Sequence, residues 1–93
     1  MQTLDGVRPC IGEKDLPSQF QKCSDELGEL GVALQAYMTY RTPKKKAEIA
    51  FEGMDVITAV TTLLYSLFDE HEIDKAVEYT NAKNYVRGYN REK

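Results

Sequence analysis

The chain has 93 residues, 12 Lys+Arg against 15 Asp+Glu, 42% apolar residues and a net charge of -3 at pH 7. One small domain is the expectation, with too little chain to bury a large core alone. The acidic balance argues against a broad basic nucleic-acid face, and no apolar run approaches the ~20 residues of a membrane span. Cys10 and Cys23 are too few for a disulfide framework or a four-cysteine zinc site. Met1-Gln2-Thr3-Leu4-Asp5 lacks the basic and apolar blocks of a signal peptide. The expectation is therefore a cytoplasmic protein with reduced thiols, without nucleic-acid or membrane partners.

Residues 1–16 carry Gly6, Pro9 and Gly12 without periodicity and read as an irregular arm; residues 17–93 read as a single helical domain. Ser18 followed by Gln21 has the form of a capping box at a helix start. Apolar residues then fall at Phe20, Cys23, Leu27, Leu30, Leu34 and Tyr37, one stripe of a helix that runs to about Tyr40. That stripe makes core residues of Phe20 and Tyr37. Gly28 and Gly31 inside it imply close approach by another helix, since each is a poor helix former. Thr42-Pro43 breaks the pattern, with Thr42 as cap and Pro43 in the next first turn. A second helix is expected from about Lys44 to Asp69, then a polar joint over 69–73 holding His71. Asp74 would cap a third helix reaching about Tyr85. No alternating apolar run flanks a tight turn, so the fold class is all-α.

On a helical wheel, Ile49, Val56, Ile57, Val60, Leu63, Leu64, Leu67 and Phe68 cover more than half of the second helix. Phe51, Met54 and Tyr65 cover much of the rest, leaving a narrow strip of Glu48, Glu52, Asp55, Ala59, Thr62 and Ser66. A helix apolar nearly all round is covered nearly all round. Two partners from one chain do not suffice, so the long antiparallel hairpin and shorter third helix are expected to complete a four-helix-bundle-like core by homo-oligomerisation. Dimer and tetramer both satisfy this.

Carboxylates in such a helix need cations, donors or a metal. Glu52 and Asp55 are three apart and share a face, as do Glu26 and Glu29 of the first helix. Folding the helices back at Thr42 places Glu29, 13 residues before it, level with Asp55, 13 after it. Glu26 and Glu52 lie within about one turn of that level. Oxygen ligands without histidine or thiolate suit magnesium or manganese, with calcium admissible, rather than the histidine-bearing di-iron bundles. Lys44-Lys45-Lys46 reads as a solvated helix start and His71 as a solvated loop residue. Cys10 and Cys23 read as buried or incidental thiols, and Tyr40, Tyr65, Tyr79, Tyr85 and Tyr89 are equally available for stacking on a base.

The run Asp25-Glu26-Leu27-Gly28-Glu29-Leu30, followed by Glu52-Gly53-Met54-Asp55, resembles the signature of the MazG-like, all-α nucleoside triphosphate pyrophosphohydrolases. Asp25 stands where glutamate is commoner. Lys83-Asn84-Tyr85-Val86-Arg87-Gly88-Tyr89 is similar to the segment closing that family's third helix, so the likeness spans about Gln19 to Tyr89. The resemblance implies magnesium-dependent hydrolysis of a nucleoside triphosphate to monophosphate and pyrophosphate, as nucleotide-pool housekeeping. Glu26, Glu29, Glu52 and Asp55 would hold the metal as the catalytic carboxylates. Lys83 and Arg87 would offset phosphate charge, and Asn84 would hydrogen-bond the nucleotide. A solvated, dipole-compensating helix end accounts for the same three residues. Two alternatives share the bundle: phosphoribosyl-ATP pyrophosphatase, and a non-catalytic interaction or regulatory protein.

Overall fold

Three helices carry the chain in the computed structural model: α1 (Leu16–Tyr40), α2 (Pro43–Leu67) and α3 (Glu70–Val86). The structure describes residues 6–10 and 15–89, and no strand occurs among them. Much of the expected arm, 1–5 and 11–14, lies outside the described residues. Residues 6–10 are non-helical, and the Cys10 N–H donates to Thr62 Oγ1 on α2 at 2.9 Å. No helix among the described residues is long and apolar enough to cross a membrane.

The helix ends follow from local chemistry, not always at the expected residue. Asp15, not Ser18, caps α1: its backbone is extended and its Oδ1 accepts from the Ser18 N–H at 2.8 Å. Pro17 sits inside the first turn, where its missing N–H forfeits no helical bond. Gln21 turns away from the cap and donates to Asp25 Oδ1 at 2.8 Å. Thr42 caps α2 as expected, accepting from the Lys45 N–H at 3.2 Å. The expected polar joint over 69–73 shrinks to Phe68 and Asp69, because Asp69 rather than Asp74 caps α3. Asp69 Oδ1 accepts from the Glu72 N–H at 2.8 Å, and Glu72 Oε1 accepts from the Asp69 N–H at 3.0 Å. This reciprocal box satisfies two backbone donors at once and moves His71 from a loop into the first turn of α3. At the far end Gly88, φ 81°, donates to Tyr85 O at 3.0 Å while the Tyr89 N–H donates to Asn84 O at 2.9 Å. That paired closure needs the left-handed residue that glycine supplies.

The chain divides into two compact units, Met1–Leu63 and Leu64–Lys93. In the first, α1 and α2 form an antiparallel hairpin across Arg41-Thr42. Gln19, Glu26 and Ala33 are buried, with Cys23, Leu30 and Tyr37 half-buried between them. That seam replaces half of the expected stripe: Phe20, Leu27 and Leu34 lie one position round the helix and are 67%, 60% and 45% exposed. The strip on α2 read as an exception turns inward only in part: Glu48 and Thr62 are half-buried, Asp55 and Ser66 are exposed, and Thr61, outside the strip, is the most buried residue of the helix. Ala59 is buried and Glu52 half-buried, while Phe51 and Met54 are exposed. Gly28 and Gly31 are also exposed, with nothing within 4 Å of a Cβ at either, so within this chain they mark no close helix contact. In the second unit, Ile73 is the buried residue of α3.

Candidate metal centre

The hairpin brings three of the four expected carboxylates together. One oxygen each from Glu26 on α1 and from Glu52 and Asp55 on α2 lie within 4.8 Å of one another. Glu26 is buried, Glu52 half-buried and Asp55 exposed, so the trio runs from the seam outward. Glu26 Oε1 accepts from Lys22 Nζ at 2.7 Å. Glu26 Oε2 and Glu52 Oε2 are buried with no hydrogen-bond partner. Buried polar atoms are normally satisfied, so two orphaned carboxylate oxygens on members of the trio fit a cluster that could hold a metal ion; Thr61 Oγ1 on α2, outside the trio, is a third such atom. Oxygen donors alone, anionic and partly open to solvent, fit magnesium or manganese, with calcium also compatible.

Glu29 stands beside the trio rather than in it. It is exposed and lines the adjoining groove. The negative charge of Glu26 holds the Glu29 carboxyl above the usual carboxylate range, with burial and Glu52 adding to the rise. Glu26 is displaced downward, because the hydrogen bond from Lys22 outweighs the effect of burial. The same contact raises the Lys22 ammonium. One turn of α1 thus carries a paired, ionised carboxylate and a neighbour that keeps its proton longer. The asymmetry follows from which of the two the lysine reaches.

A groove of about 770 Å³ opens along the hairpin next to Glu52, lined among others by Gly28, Glu29, Ala33, Lys45 and Glu48. Lys45 Nζ lies 4.0 Å from Glu48 Oε2 at its rim. Small side chains along α1 leave the space, and it is of the size that small organic ligands use.

Lys83, Asn84 and Arg87 belong to the end of α3, in the second unit. Lys83 and Asn84 are half-buried, and Lys83 Nζ lies 5.9 Å from the Tyr79 ring centre. Arg87 is exposed and caps α3, its N–H donating to Lys83 O at 3.1 Å. His71, Lys44 and Lys46 are exposed, and Cys10 and Cys23 are free thiols, the first exposed and the second half-buried. Sequence reasoning passed over Lys22 and treated Lys45 as plain solvated charge. Their signal was spacing, four residues before Glu26 and three before Glu48, which puts each pair on one helix face. No family model matches the chain, and no curated protein or solved structure is significantly similar to it.

Proposed function

We propose that this protein is a cytoplasmic, magnesium-dependent nucleoside triphosphate pyrophosphohydrolase, releasing the nucleoside monophosphate and pyrophosphate. The observation that carries the reading is the carboxylate trio Glu26, Glu52 and Asp55, with two buried oxygens left unpartnered. The spacing of those acids in the sequence, resembling the MazG-like pattern, gives the substrate class.

In this reading Glu26, Glu52 and Asp55 hold magnesium or manganese, and Glu29 extends the acidic face along the groove. The ion supplies positive charge against the triphosphate oxygens and an acidified water for in-line attack at phosphorus. The hairpin fixes the carboxylates on two rigid helices before substrate arrives, so little reorganisation is needed. The groove beside Glu52 receives the nucleoside, its floor kept open by Gly28 and Ala33. The phosphate and nucleotide contacts of Lys83, Asn84 and Arg87, which belong to the second unit, rest on the resemblance alone, Arg87 having a planar fork matched to phosphate. A second copy of the chain covers Phe20, Leu27, Phe51 and Met54, all exposed here, as a homodimer or homotetramer with a four-helix-bundle-like core. Those exposed rows also favour a second reading, a non-catalytic interaction or regulatory protein.

Pyrophosphate release from a nucleotide panel that includes phosphoribosyl-ATP, assayed with magnesium, tests this directly. Turnover is expected, with Glu52→Gln and Asp55→Asn each lowering kcat roughly a hundredfold or more. Turnover of phosphoribosyl-ATP alone selects that activity instead. No turnover of any nucleotide, with stability unchanged by EDTA, leaves the interaction reading.

A further inference from the structure

The acidic cluster carries a cation of its own. Lys22 Nζ touches Glu26 Oε1 at 2.7 Å, from a side chain that is 54% exposed to one that is 8% exposed. Among the described residues no other ion pair reaches Glu26, Glu29, Glu52 or Asp55. The order along α1, lysine before glutamate at a spacing of four, is the weaker of the two orientations for an exposed helical pair. Helix propensity therefore does not account for the contact; the buried, crowded acceptor does. Glu26 has Glu29 one turn away on its own helix, and Glu52 and Asp55 within 4.8 Å across the hairpin. Without a positive charge these carboxylates repel one another. The lysine occupies Oε1 and leaves Oε2, buried and unpartnered, on the same carboxylate.

We propose that Lys22 is a built-in counter-cation of the metal cluster, which steadies the metal-free hairpin and by the same charge limits affinity for divalent ions. The inference rests on the metal reading above. An ion received by Glu26 Oε2 lies one carboxylate away from the ammonium, and two like charges at that separation repel. Glu26 also has to share its charge between two cations. The half-exposed stem of Lys22 lets the head group move toward water, so the site is weakened rather than blocked. A neutral side chain at this position gives a tighter metal site on a less stable metal-free protein, whereas a lysine that merely props Glu26 in place would give a weaker one.

The test uses the full chain as wild type, Lys22→Met and Lys22→Arg, with Mn²⁺ as probe. Binding is followed by the paramagnetic resonance of free Mn²⁺, and stability by melting in EDTA and in Mn²⁺. Lys22→Met is expected to tighten the Mn²⁺ Kd roughly three- to tenfold, to melt a few degrees lower in EDTA, and to gain more from Mn²⁺ than wild type. Lys22→Arg is expected to keep wild-type values for all three. A Lys22→Met protein that binds Mn²⁺ as wild type does, or more weakly, overturns the role given to Lys22 and leaves the metal site standing. Absence of Mn²⁺ binding in wild type and both variants overturns the metal site and the inference together.

Discussion

Two glutamates three residues apart on one helix behave differently because only one of them reaches a lysine. Glu26, hydrogen-bonded to Lys22, is held below the ordinary glutamate value of 4.5, whereas Glu29, facing the Glu26 charge, is held above it. The consequences for stability have opposite signs. Glu29 keeps its proton in the folded chain after the unfolded chain has lost it, so its contribution is full below 4.5 and is lost as pH rises through its raised value. The contribution of Glu26 is present above 4.5 and is lost as pH falls through its lowered value. At neutral pH in metal-free protein, Glu29 is thus a source of net repulsion, whereas the charge of Glu26 is offset by Lys22. Glu29→Gln removes the repulsion while keeping the shape. In EDTA its melting temperature is expected to exceed that of wild type near pH 7, with the advantage fading as pH falls below the ordinary carboxylate range. A series of thermal melts across that range reads it, and an advantage independent of pH would contradict the assignment.

At the level of elements, short-range chemistry decides where helices begin. Asp69 and Glu72 exchange two hydrogen bonds, so α3 starts five residues earlier than a cap at Asp74 allows. Asp69→Ala is expected to cost about 1 kcal/mol, with the melting temperature falling by roughly 4–8 °C and helical ellipticity lost from the first turn of α3. The same locality explains what the sequence makes legible. Three helices, the Thr42-Pro43 break and the levels of Glu26, Glu52 and Asp55 depend on spacing and caps within a few residues, and all are readable. The seam of the hairpin is not. A row of 20, 27 and 34 and a row of 19, 26 and 33 have the same period and both combine with Cys23, Leu30 and Tyr37. Hydrophobicity favours Phe20, Leu27 and Leu34, yet the hairpin buries Gln19, Glu26 and Ala33. The choice fits α2, where the buried Ala59 and the half-buried Glu48 and Glu52 leave room for a carboxylate and an alanine rather than bulky apolar groups. Glu29 is misplaced for a related reason: equal distance from the turn fixes its height but not its angle round α1.

For the molecule as a whole, that choice turns apolar side chains outward. Phe51 is 68% exposed, Leu27 60% and Met54 47%, while among the described residues the buried apolar ones are Ala33, Ala59 and Ile73. Single exposed apolar residues are ordinary, and the rows of them along both helices of the hairpin are what the proposed association rests on. The carboxylate trio, by contrast, is assembled within one hairpin from Glu26, Glu52 and Asp55. Association and metal binding should therefore separate by mutation. Sedimentation of the wild type is expected to show a dimer or tetramer. Phe51→Glu is expected to shift the equilibrium toward monomer. Removing a buried phenylalanine costs roughly 2 kcal/mol, and a two-fold interface feels each substitution twice, giving a dissociation constant at least about a hundredfold higher. Mn²⁺ binding by the same variant is expected to persist, because Phe51 supplies no ligand to the trio and the carboxylate introduced one turn before Asp55 brings no positive charge to it. A variant that remains associated moves the interface away from the Phe51 row. A variant that dissociates and loses Mn²⁺ as well shows that the second copy, rather than the hairpin alone, holds the carboxylates in register.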